Sequence, residues 1–115
     1  MSAPIPMHAL ASLEAEASVL SALLLDNTAF DRVSDRLRAE HFTSDMHRDV
    51  YTEISRQLSS GKACDVVTVF QALAGAVELT ELNELAQYVP STANLNRYAD
   101  IIVERHQSRR LAAVA

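Results

Sequence analysis

Ser12-Leu13-Glu14-Ala15-Glu16-Ala17-Ser18-Val19-Leu20-Ser21-Ala22-Leu23-Leu24-Leu25-Asp26-Asn27 is the stretch that decides the fold class of this chain. Leu13, Val19, Leu20, Leu23 and Leu24 fall at helical spacing, Ser12 offers an N-cap, and Glu14 and Glu16 sit where a helix N-terminus favours negative charge. The spacing predicts a helix from about Leu13 to Leu25, broken by Asp26 and Asn27. Before it, Pro4 and Pro6 stand among small residues, and residues 1–11 read as a flexible tail.

Downstream the same kind of pattern repeats. Thr28 followed by Asp31 resembles a capping arrangement for a second helix carrying Phe30, Val33 and Leu37. Ser44 or Asp45 caps a third, with Met46, Val50, Tyr51, Ile54 and Leu58 as its apolar stripe, and Gly61 stops it. Asp65 caps a short fourth helix with Val66, Val69, Phe70 and Leu73. Its β-branched run has strand character, but an isolated strand would have no partner elsewhere in the chain. Thr80 caps a fifth helix that Pro90 ends, and Asn94 caps a sixth that carries Leu95, Tyr98, Ile101, Ile102 and Val103 toward a basic end at Arg105, Arg109 and Arg110. Leu111 to Ala115 continue with no stop signal, the pattern of a helix cut from something longer.

Composition agrees with an all-α domain. The 115 residues are 49% apolar and 22% charged, with two glycines and three prolines, too few breakers for the many tight turns of an all-β domain. A net charge of -5 opposes non-specific attachment to a phosphate backbone. Charge is unevenly divided: from Leu95 onward four arginines face Asp100 and Glu104, while the remainder carries six basic and thirteen acidic residues. The lone Cys64 suits a reducing compartment, and the run Val19 to Leu25, interrupted by Ser21, is far shorter than the roughly 20 apolar residues a bilayer span needs. With no basic or hydrophobic block at the start, a cytoplasmic protein with no membrane partner is the expectation.

Chemistry-bearing motifs are missing where they would be required. Gly61-Lys62 has no glycine at the spacing of a phosphate-binding loop and is followed by Ala63. His41 and His47 with Asp45 or Asp49 lie on different helical faces, so surface or cap roles are preferred to a metal site. Neither a glycine-flanked nucleophile nor an oxyanion loop accompanies the Ser, His and Asp residues. A phosphotransfer bundle would need an exposed histidine, for which His47 is the candidate. No catalytic, cofactor-binding or metal residues are therefore assigned. Ile101, Ile102 and Val103 spread over about 200° of one helix. Either a second protein covers part of that surface or the sixth helix is buried on two sides.

Leu13-Glu14-Ala15-Glu16, Leu23-Leu24-Leu25-Asp26-Asn27, Phe30-Asp31-Arg32-Val33, His41-Phe42, His47-Arg48, Gly61, Asp65-Val66-Val67-Thr68-Val69, Pro90-Ser91-Thr92-Ala93-Asn94 and Tyr98-Ala99-Asp100-Ile101-Ile102-Val103-Glu104-Arg105 follow one another in an order and spacing that resembles the N-terminal domain of DnaB-type bacterial replicative DNA helicases. The resemblance implies a compact bundle of about five helices over residues 12–90 and, over residues 91–115, the first arm of a dimerisation hairpin. It implies a collar domain that assembles a hexameric ring, docks primase and has no catalysis of its own. ATP and magnesium belong to a C-terminal motor domain absent here, and DNA is reached through the parent ring. Carried onto this sequence, Arg97, Tyr98, Ile101, Ile102 and Arg105 are the expected subunit interface, with Glu14 and Asp65 as partner contacts. A helicase loader is a further implied partner. The alternative is a free-standing helical adaptor or loader-like protein of the replisome. Two departures bear on this: Ala74-Gly75-Ala76-Val77-Glu78-Leu79-Thr80-Glu81-Leu82 lacks the family's glycine pair and aromatic-leucine step, and Thr43 replaces an aromatic after His41-Phe42.

Overall fold

A computed structural model describes residues 7–88 and 92–114. Five α-helices follow in order, α1 (Met7–Leu25), α2 (Asp45–Ser59), α3 (Val66–Leu73), α4 (Leu79–Ala86) and α5 (Leu95–Val114), with short 3-10 turns at Asn27–Arg32, Ala39–His41 and Thr92–Asn94. No strand occurs among the described residues.

α1 is the central helix because it is apolar or small on nearly every side. Ala15, Val19, Leu20, Ala22 and Leu23 are buried, and so are Ser12, Ser18 and Ser21. Ser18 is satisfied within the helix, donating to the Glu14 carbonyl at 2.8 Å, whereas Ser21 donates to the Ala86 carbonyl at 3.1 Å, tying α1 to the end of α4. By length and hydropathy α1 would pass for a membrane span, but 56% of that window is packed inside the bundle. Around it close Val50 and Ile54 of α2, Val69 of α3, Leu82 and Leu85 of α4, and Leu95, Ala99 and Ile102 of α5. Each such large side chain stabilises the fold by about 1.5–3 kcal/mol.

Polar residues fix the connections. Asn27 donates through Nδ2 to the Leu23 carbonyl at 2.9 Å and to the Cys64 carbonyl at 3.1 Å, and accepts from the Cys64 amide at 3.0 Å. One side chain thus stitches the end of α1 to the loop before α3. Ser44 caps α2, and Asp65 caps α3 with Thr68 reciprocating at 2.9 Å, so the β-branched run is helical.

Several boundaries differ from the sequence reading. α1 begins at Met7, so the expected tail is helical from that residue, and Ser12 is a buried mid-helix residue instead of a cap. The part of the tail before Met7, and the Pro90 stop, lie outside the described residues. The expected second helix is a 3-10 turn capped by Asp26, whose carboxylate accepts from the Thr28 amide at 3.1 Å. α4 starts at Leu79 with Glu78 as its N-cap, which places Thr80 inside the helix. Division at residue 91 separates no independent body, because the first half of α5 completes the core against α1.

Candidate interaction surface

α5 presents two faces. Leu95, Ala99 and Ile102 lie on one stripe and are fully buried. Ile102 is therefore a correction to the expected interface: it shares the stripe of Leu95 and Ala99, and its side chain is taken up by the chain's own core. Ile101 points the other way and is 39% exposed, Arg97 is exposed, and Tyr98 and Arg105 are half-buried. Val103 packs partly on the core, so the apolar run is divided between interior and surface. Further along, Leu111 is exposed.

Between α1, the end of α4 and α5 runs an open groove of about 480 Å³ lined by Ala11, Glu14, Ala15, Ser18, Tyr88, Tyr98 and Ile101. Small residues on α1 form its floor and allow close approach. Two phenols and Ile101 supply flat apolar area, and Glu14 sets a carboxylate beside them. Partial burial, followed by the Glu14 charge, raises the Tyr88 pKa above its ordinary value. Contact area plus a few polar groups of this kind suits docking of a protein segment. The groove thus brings together Glu14, Tyr98 and Ile101 of the sequence-predicted residues. Asp65 does not line it; it stands exposed at the start of α3, one carboxylate oxygen already accepting from the Thr68 amide.

A second constellation is invisible in the sequence. Glu16 is fully buried in the middle of α1. His47 Nδ1 donates to its Oε1 at 2.8 Å, and the Thr43 hydroxyl and amide donate to its Oε2 at 2.7 and 3.0 Å. Burial alone raises the Glu16 carboxyl, but the hydrogen bonds from His47 and Thr43 outweigh it and hold the group below its usual value. Glu16 is thus not a helix-terminus charge, and His47 is neither a surface histidine nor an exposed phosphotransfer site. Thr43, noted above as a departure from the pattern the sequence resembles, serves here as a hydrogen-bond donor to Glu16. His41 and His47 do not share a site either: Nδ1 of buried His41 accepts from the Arg38 amide at 2.9 Å, and its ring meets His106 of α5. Arg109 adds a bond from Nη2 to the His41 carbonyl at 3.2 Å, which anchors α5 to this turn; because α5 runs on to Val114, its arginines stand short of the last turn, so the expected helix-dipole role does not apply to them.

Comparison with known proteins gives this geometry its context. The family model described as DnaB-like helicase N-terminal domain matches residues 8–104. The replicative DNA helicase DnaB of Buchnera aphidicola subsp. Baizongia pistaciae is 37% identical over 110 residues, 90% of this chain and 24% of the helicase. That of Geobacillus stearothermophilus gives the same identity and coverage. The chain thus spans about a quarter of the length of the curated relatives it matches. Among solved structures, the N-terminal domain of DnaB helicase from Mycobacterium tuberculosis superimposes with a TM-score of 0.81 at 34% identity, covering 88% of this chain and 78% of that one. A DnaB-like replicative helicase, solved in a study of its interactions with primase, shares the fold at TM-score 0.76 and 22% identity, over 87% of this chain and 24% of its own. With the match running from α1 into α5, the chain belongs to the family of DnaB-like helicase N-terminal domains.

Proposed function

We propose that this chain is the non-catalytic collar of a hexameric replicative DNA helicase, pairing with copies of itself through the outer face of α5 and docking primase. The observation that carries the reading is family membership over residues 8–104, in a chain that spans 24% of its helicase relatives. Arg97, Tyr98, Ile101 and Arg105 make the subunit contact, and the acidic remainder of one copy attracts the basic α5 of another. Glu14 and Asp65 contribute polar partner contacts, primase being the principal partner and a loader a second. Magnesium-dependent ATP hydrolysis and DNA contact belong to the parent chain's motor domain, and the compartment is the cytoplasm.

The test is co-sedimentation of the chain with the primase of the same cell, together with an ATPase assay on the chain and on its parent. Primase should be retained, the chain should show no turnover above background, and the parent should hydrolyse ATP in a DNA-stimulated way. Turnover by the chain itself, or a parent with no ATPase activity, would overturn the reading.

A further inference from the structure

His41 and His106 are remote in sequence but meet edge to face where the turn at Ala39–His41 abuts α5, ring centroids 4.8 Å apart. Glu40 brings a carboxylate alongside, so that one ligand atom from each of the three groups lies within 4.8 Å of the others. His41 is buried, His106 half-buried and Glu40 exposed, which leaves the group open to solvent on one side. Burial comes first in lowering the pKa of both imidazoles, followed by the charges of the neighbouring ring, Arg38 and Arg109 at His41 and of Arg109, Arg110 and Arg38 at His106, with Glu40 opposing. Metal ligation requires both rings in the neutral form, the direction in which these surroundings push them.

The geometry points to a divalent transition-metal site made by Glu40, His41 and His106, with Zn²⁺ as its ion, fastening α5 to the turn at Ala39–His41. Two nitrogens and one oxygen, with a fourth position left to water, are a donor set that zinc accepts. Bonds of about 2.0–2.2 Å require the donors to draw together, a movement open to an exposed glutamate and a half-buried histidine.

Each neutral ring has one lone pair, and both are engaged. The Arg38 amide donates to Nδ1 of His41 at 2.9 Å, and Arg109 Nη2 lies 3.4 Å from Nδ1 of His106. Zinc binds by displacing both donors. The Arg38 amide thereby gives up its place in the cap of the Ala39–His41 turn, while Arg109 keeps its bond to the His41 carbonyl. Glu40, paired with Arg38 at 3.1 Å, supplies the one negative charge of the donor set, beside Arg38, Arg109 and Arg110. Release of the Arg38 amide is a signature that adventitious surface binding lacks.

Calorimetric titration of the whole chain with Zn²⁺ at neutral pH, with amide exchange at Arg38 followed by NMR, tests the site. One ion per chain is expected, with faster Arg38 exchange at saturation. His106→Ala should weaken binding by at least about 100-fold and Glu40→Gln by about tenfold, whereas His8→Ala leaves it unchanged. Zinc should raise the thermal midpoint of the wild type and not that of His106→Ala. No uptake, uptake that survives His106→Ala, uptake lost in His8→Ala, or an Arg38 amide indifferent to zinc would each overturn the proposal.

Discussion

At the scale of single residues, Glu16 is where α1, the Thr43 segment and α2 converge. Replacing it with Ala strands the buried His47 ring N–H and takes the acceptor from both half-buried Thr43 donors, and should lower stability by about 3 kcal/mol in urea denaturation. Glu16→Gln, which keeps an acceptor in place, should lose less. The carboxyl titrates lower in the folded chain than in the unfolded one. Its contribution is thus complete above the unfolded pKa of about 4.3 and disappears as pH falls through the lower folded value. Urea midpoints of wild type and Glu16→Gln should therefore converge on acidification below about pH 4, and a constant gap would contradict the linkage. By contrast, the Arg36–Asp100 pair lies at the surface, and Asp100→Ala should cost less than about 1 kcal/mol. None of the Glu16 network was legible in the sequence. Its partners lie far along the chain, and a helix assumed to begin near Leu13 turns a mid-helix glutamate into a terminal charge.

Helix ends show how far local rules reach. The Asp65 cap of α3 was legible, because a cap needs nothing from the rest of the fold, while the reciprocal bond from Thr68 that completes it was not read from the β-branched run. Asp65→Ala should cost about 1 kcal/mol through the lost cap. Asp65→Asn keeps a capping oxygen and removes only the charge, so it separates the structural role from partner contact: weaker primase binding by this variant, at unchanged stability, would assign Asp65 to the interface. Gly61, at φ +82°, follows the C-cap of α2 in open space, and Gly61→Ala should cost about 1 kcal/mol from backbone strain alone. The start of α1 was less legible, since Met7 to Ala11 carry no strong apolar stripe and owe their helical state to continuity with the buried segment that follows.

For the whole molecule, all-α architecture followed from periodicity and breaker content, but the division of labour along α5 did not. Ile101, Ile102 and Val103 are equivalent in a linear reading; only the placement of α1 sends Ile102 inward and leaves Ile101 at the groove beside Tyr88 and Tyr98. Core completion by one stripe of α5 and assembly by the other is the central claim. The most direct measurement is sedimentation of the parent protein's N-terminal portion, an extended chain carrying the second arm of the hairpin that the family resemblance implies, with and without Ile101→Arg, helical content being checked by circular dichroism. The extended chain should sediment as a dimer, and Ile101→Arg should shift it to monomer by weakening self-association at least about tenfold with no loss of helix. An extended chain that stays monomeric, or a dimer untouched by Ile101→Arg, would contradict the claim.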